Sequence, residues 1–292
     1  MNEKGYFVLQ KLILNQKNDC IEYVVTARDK GVTKDYCNDI IDICKANNIA
    51  IYIRGENPIR NDAYYAAAIG WRWIINDRKI KLVVFHDSLL PKYRGFAPLV
   101  NMLINGEEEI GVTAILAEEE YDAGNILIQK KKKISYPITI EEAINDIKYL
   151  YYEAVSEYIE LLNGKEEIVG IPQNEALSTY SCWRDEKDYQ IDWKTYNSDK
   201  IERFIDAVGF PYKGARTFIN GIPICVVKAK SHAGYVVEDA KSNIGKVLFV
   251  KDEHAFVVCI EGVIEVIEAY YLDGNSIYPL AKFRSRFGNE IN

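Results

Sequence analysis

The tightest constraint on this chain is the order of its hydrophobic periods. Helix-period and strand-period segments alternate through the first half, and short strands alone fill the end. Tyr6, Leu9, Leu12 and Ile13 predict an amphipathic helix over 5–15, and the β-branched run Ile21–Thr26 a strand. Ile40, Ile43 and Cys44 give a helix at about 33–47, followed by a strand at Ile49–Ile53. Lys79–Phe85 reads as a strand that delivers His86 at its C-terminal end. Ala97–Asn105 is a helix closed by Gly106, and Val112–Leu116 a further strand. Such alternation implies an α/β domain with a mostly parallel sheet, whose ligands gather at the carboxyl ends of strands. A T-x-x-E capping box at Thr139 and Glu142 opens a long helix that Asn163-Gly164 stops. The polar stretch 166–199 reads as a linker, with DWK at Asp192–Lys194 leading into a helix at about 198–208. From Gly214 on, turns at Asn220-Gly221, Gly234, Gly245, Glu261-Gly262 and Asp273-Gly274 predict a small β-rich, barrel-like domain. The expected division is therefore 1–165, a linker at 166–199, and 200–292.

Composition excludes several classes. The 292 residues suffice for about two domains at ~150 residues each. No apolar run reaches the roughly 18–20 residues of a membrane span, so no membrane partner is expected. The start, Met1–Gly5, lacks a signal-peptide pattern, and the expected location is cytoplasmic. A net charge of −7 argues against a chain whose main task is coating nucleic acid. Six scattered cysteines with no C-x-x-C pair suit packed, reduced thiols, and three histidines leave little for a metal site; none is expected. Lys130–Lys133 reads best as a lysine-protected sheet edge and second as a phosphate grip. His232 and His254 read as surface residues of the β-rich tail.

The chemistry concentrates in Leu82–Gln129. His86 ends a strand, and Asp122, with Gly124, lies on a loop leaving a later strand. A histidine with a carboxylate partner is the usual proton-transfer pair, because the carboxylate fixes the tautomer and supports the imidazolium. The plainer alternative is a satisfied structural histidine and an Asp-x-Gly turn.

This segment resembles the folate-dependent formyltransferases. The resemblance rests on His86, Ser88-Leu89-Leu90-Pro91, Tyr93-Arg94-Gly95, Ala97-Pro98, Asn105-Gly106-Glu107, Gly111-Val112-Thr113 and Asp122-x-Gly124, all in order. The tail is similar to the family's C-terminal domain through Ile191-Asp192-Trp193, Phe210-Pro211-Tyr212-x-Gly214-Ala215, Gly245-Lys246-Val247 and Phe283–Phe287. The resemblance implies a Rossmann-like formyltransferase domain and transfer of a formyl group from 10-formyltetrahydrofolate to an amine, with no metal. His86 and Asp122 would be the catalytic pair. The folate would lie along Ile69, Gly70, Trp71, Arg72, Trp73 and Tyr121, and the acceptor along Ser88, Leu89, Leu90, Lys92, Tyr93 and Arg94.

Two departures bear on activity. Val84 stands where the family carries a catalytic Asn two positions before the His, and one such lost donor costs about 10²–10³ in rate. Either Arg72, Asn125 or Asp87 substitutes, or catalysis is impaired. The family also begins with a strand, for which Met1–Lys4 leave too little room; the start is truncated or the sheet remodelled. Three readings follow: a transferase for a nucleotide-linked amino sugar, favoured by Trp71–Ile75 and the acidic charge; a methionyl-tRNA formyltransferase; or a folate-fold binding protein. The expected partner is a sugar-nucleotide or other amine, tRNA ranking lower, with a homodimer allowed.

Overall fold

The computed structural model describes residues 3–29, 34–56, 63–75, 79–164 and 168–288. The expected boundary at 165, the first two residues, the helix start at 33 and the last four residues lie outside these. The elements follow in chain order as α1 (Glu3–Leu14), β1 (Tyr23–Thr26), α2 (Cys37–Ala46), β2 (Ala50–Ile53), β3 (Tyr65–Ile69) and β4 (Lys81–His86). Next come the short β5 (Arg94–Gly95), α3 (Pro98–Asn105), β6 (Glu109–Leu116), β7 (Ile126–Lys133) and α4 (Ile140–Asn163). The remainder comprises β8 (Tyr180–Ser181), α5 (Ser198–Val208), β9 (Ala215–Ile219), β10 (Ile222–His232), β11 (Val247–Lys251), β12 (His254–Val258), β13 (Val263–Tyr271) and β14 (Phe287–Gly288).

The chain divides into two compact units. The first comprises 1–98, 109–133 and 144–182; the second comprises 99–108, 134–143 and 183–292.

In the first unit β1 and β2 pair in parallel. A four-stranded sheet has the order β3-β4-β6-β7, parallel between β3 and β4 and antiparallel through β6 and β7. The run LVVF makes β4 a natural buried strand, because β-branched and aromatic side chains pack well on a pleated surface. Phe85 lies beneath α4, its ring 6.4 Å from Tyr151 and 6.0 Å from Tyr158. Thr139 and Glu142 cap α4 reciprocally: the Glu142 amide donates to the threonine hydroxyl at 3.2 Å, and its carboxylate accepts the Thr139 amide at 2.8 Å. A smaller core gathers Leu9, Ala27, Ile40, Cys44 and Ile49, with Trp71 and Trp73 packed against it. The edge strand β7 carries the lysine run, and three of its four lysines pair with Glu157, Glu109 and Asp146.

The second unit holds a six-stranded antiparallel sheet ordered β11-β12-β13-β10-β9-β14, with register shifts at Val226–Ala229 that curl it into a half-barrel. Asn220-Gly221 makes the expected two-residue hairpin, both residues left-handed as a type I′ turn requires. Helix α5 starts at Asn197, whose side chain accepts the Lys200 amide at 2.9 Å, and buries Ile201, Phe204, Ile205 and Val208 at helical spacing. The fold class is the one expected from the pattern.

Candidate functional site

The histidine is placed by β4. Alternation along a strand puts Val84 and His86 on one face and Val83 and Phe85 on the other, which is the core side. The His86 side chain is 8% exposed, and its Nε2 lies 2.8 Å from the Tyr93 carbonyl oxygen. A carbonyl only accepts, so Nε2 carries the hydrogen and Nδ1 is left as the basic nitrogen of the neutral ring. Tyr93 aims its carbonyl from a left-handed backbone, φ 61°.

Asp122 meets that ring from the other loop. Its Oδ2 lies 3.6 Å from His86 Nδ1 and accepts the Gly95 amide at 2.8 Å. The two loops are thereby fastened to each other at the strand ends, where the sequence placed them. Glycine is required on both. A Cβ on Gly95, φ 98°, would meet the Ser181 carbonyl oxygen at 2.6 Å, and one on Gly124 the Leu116 carbonyl oxygen at 1.7 Å.

Residues expected against the acceptor fall into two groups. Ser88 and Arg94 are fully buried. The Ser88 hydroxyl donates to the Lys92 carbonyl at 2.7 Å, and Arg94 donates to Gln173, Glu175 and Tyr180. These two, with the buried Leu90, shape the loop, their polar groups being committed to the protein. Leu89 and Tyr93 keep partial exposure, and Lys92 is exposed. Among residues expected against folate, Ile69 ends β3 and Gly70 turns with φ 57°. Trp71 and Trp73 stack edge-on, 5.0 Å apart, and Tyr121 is 69% exposed. The Trp71 indole N–H is buried with no hydrogen-bond partner among the described residues.

Two neighbours named for the Val84 gap are engaged elsewhere. Arg72 pairs with the buried Asp29 at 2.9 Å. Asp87 is held by Lys4 and by the Tyr151 hydroxyl. Burial alone would raise the Asp87 carboxyl, but the charge and hydrogen bonds of Lys4, with Tyr151, bring it below the usual carboxylate range. An ionised carboxylate only accepts, so Asp87 cannot serve as an oxyanion donor.

Sequence reading missed the contribution of residues 168–182, which fall in the expected linker. Ile171 exchanges backbone hydrogen bonds with Ile126 at 2.8 Å each way, beside the Asp122 loop. Thr179 accepts from the Tyr93 and Arg94 amides, and the Ser181 carbonyl accepts from Phe96. Gln173 and Glu175 hold the Arg94 guanidinium. The segment carries no helical or strand period, and its partners lie far away in sequence, so no local signal marks it.

In the second unit, Glu265 bridges His232 and His254 at 2.8 and 2.9 Å. Burial pushes its carboxyl up, but the two imidazoles outweigh this and lower it. These histidines are 25% and 29% exposed, partly buried where surface positions were expected. Among the described residues no cluster of metal-ligating side chains occurs.

Known proteins share this architecture. The formyl transferase family model matches residues 63–159, and the formyl transferase C-terminal domain model matches residues 184–286. A methionyl-tRNA formyltransferase of Nitrosospira multiformis is 24% identical over 241 residues, covering 78% of this chain and 75% of the relative. One of Carboxydothermus hydrogenoformans is 31% identical over 187 residues, covering 64% and 58%. Of that second relative's length, the chain thus spans under two thirds. Among solved structures, an N-formyltransferase from Helicobacter canadensis, in complex with folinic acid and dTDP-3-aminofucose, superposes with a TM-score of 0.64 at 20% identity. That match covers 91% of this chain and 96% of the other. With both domain models matched in order, and the SLLP, RG and D-x-G segments assembled around one histidine, the chain belongs to the folate-dependent formyltransferase family.

Proposed function

We propose that the protein transfers a formyl group from 10-formyltetrahydrofolate to the amine of a nucleotide-linked amino sugar. The observation that carries this reading is the His86–Asp122 pair, fixed by the Gly95 amide at the carboxyl end of β4. The orphaned indole N–H of Trp71, in the segment assigned to the folate, is a donor that such a ligand could satisfy. The folate supplies an activated formyl carbon. At that carbon the chain's own work would be proton handling: as the amine–formyl bond forms and the formyl–folate bond breaks, His86 Nδ1, with Nε2 anchored on Tyr93, would take the proton of the amine and yield it to the departing folate nitrogen, Asp122 supporting the imidazolium in between. The acidic net charge of −7 is unfavourable for gripping tRNA phosphates and supports a small anionic acceptor only where local basic residues such as Lys92 meet it.

The competing reading is a methionyl-tRNA formyltransferase, favoured by the names of the sequence relatives. Incubation with 10-formyltetrahydrofolate and a panel of 3- and 4-amino-sugar nucleotides, beside methionyl-tRNA, separates the two. Mass spectrometry should show a formylated sugar nucleotide and little formyl-methionyl-tRNA. Efficient, salt-sensitive formylation of the tRNA reverses the ranking. Formylation of neither points to a folate-binding protein, with Val84 as the residue responsible.

A further inference from the structure

Asp122 stands in the left-handed region, φ 55°, which few residues with a Cβ occupy and Asp enters more readily than most. Its carboxylate is held by the Gly95 amide. Its backbone is held by Gln173. The Gln173 Nε2 donates to the Asp122 carbonyl at 2.7 Å and to the Gly124 carbonyl at 2.8 Å. The Gln173 Oε1 accepts Arg94 Nη2 at 2.8 Å and Nε at 3.2 Å. Both amide hydrogens and both acceptor positions are used. The orientation admits no reversal: a guanidinium only donates and a carbonyl only accepts, so a turned amide would set donor against donor and oxygen against oxygen.

The ring of contacts closes through Arg94. Its guanidinium is fully buried, held also by Glu175 at 2.6 and 2.9 Å, and its chain neighbour is Gly95. One amide therefore ties the backbone of the Asp-x-Gly loop to the residue beside the one that holds the Asp122 side chain. We infer that Gln173 is a positioning residue for Asp122, locking the carboxylate onto the His86 side of the loop. The inference rests on the proposed role of the His86–Asp122 pair. It assigns a function to a segment that the sequence presents as a connector.

Gln173→Glu tests it. The carboxylate still satisfies Arg94, so the fold should hold, but both donors to the loop are lost and its oxygens face two carbonyls. Amide hydrogen exchange at Gly95 reads the interlock without any substrate. It should accelerate at least about tenfold, toward the rate in Asp122→Ala, while Phe96 and Ile171 keep their protection. In formyl transfer, kcat should fall roughly 10- to 100-fold, as a misplacement of about 1 Å costs, with KM for the acceptor little changed. In the Asp122→Ala background, Gln173→Glu should cost almost nothing further, because both changes act through one group. Unchanged Gly95 exchange, or a kcat loss that adds in full to that of Asp122→Ala, overturns the assignment. Should Gln173→Glu lose protection at Phe96 and Ile171 as well, Gln173→Met gives the same comparisons without the repelling charge. If the wild-type protein transfers no formyl group to any acceptor, the proposed function fails, and Gly95 exchange alone still decides the interlock.

Discussion

One oxygen of Asp122 serves two partners: Oδ2 accepts the Gly95 amide at 2.8 Å and faces His86 Nδ1 at 3.6 Å. The separation from the imidazole is longer than a hydrogen bond, and such pairs tighten when substrate closes the site. Asp122→Asn can keep the contact with Gly95 through its amide oxygen, yet it removes the charge that supports an imidazolium. Its turnover, and that of His86→Ala, should fall by about 10²–10⁴, a loss beyond what any change in the folded fraction explains. Single-turnover formyl transfer measures the loss, and a variant at full rate removes its residue from the mechanism.

Val84 shares the His86 face of β4, where an amide could reach a developing oxyanion. With Arg72 paired to Asp29 and Asp87 bound to Lys4, two of the three candidate substitutes are engaged. Val84→Asn should therefore raise the rate by about tenfold or more, within the ~10²–10³ such a donor supplies. A rate that stays level or drops would mean that another group already fills the role, Asn125 being the remaining candidate.

Gly124 has no room for a side chain. A Cβ there would lie 1.7 Å from the Leu116 carbonyl, which is backbone and cannot turn aside. Gly124→Ala must push the Asp122 loop away from β6, with a stability loss of roughly 1–3 kcal/mol or more from overpacking. The loss of turnover should exceed what the remaining folded fraction explains, since Asp122 moves with the loop. Urea unfolding beside kcat distinguishes the two effects.

How far these features are legible in the sequence depends on the range of the interactions. The strand of β4, the Thr139–Glu142 cap, the Asn220-Gly221 hairpin and the apolar face of α5 are local, and each shows in spacing or turn chemistry. The strand β3 does not, because YAAAI has little β propensity and is held by its parallel pairing with β4. Nor does the antiparallel joining of β6 and β7, since helix–strand alternation alone suggests parallel neighbours. His86 and Asp122 could be named from their motifs, but Gln173 gains its meaning only from Arg94 and the Asp122 loop, 79 and 51 residues away.

Lys4 and Asp87 form a largely closed ion pair, their side chains 13% and 17% exposed. Lys4→Met leaves the carboxylate with Tyr151 as its remaining partner and should destabilise the first unit by about 3 kcal/mol, the lower end for breaking such a pair. Because the Asp87 carboxyl is depressed, its stabilisation is present above about pH 4 and is lost as the pH falls through its folded value. The difference between wild type and variant should shrink in acid; chemical denaturation at pH 7 and pH 3 checks both parts.

Asp206 on α5 behaves in the opposite sense. Burial, then the charges of Glu202 and Glu142, push its carboxyl up to about 7 against the opposing pull of Lys228. In an unfolded chain the group ionises near pH 3.9. Over the window from about pH 4 to 7 the unfolded chain gives up a proton that the folded protein retains, so stability falls as the pH rises and stays reduced above it. Asp206→Asn keeps the shape and cannot ionise. The variant should match the wild type near pH 4 and exceed it at pH 8 by roughly 2–4 kcal/mol, the gain developing between those limits. Parallel pH slopes for the two proteins would mean that Asp206 finds water or a counter-ion and ionises freely in the fold.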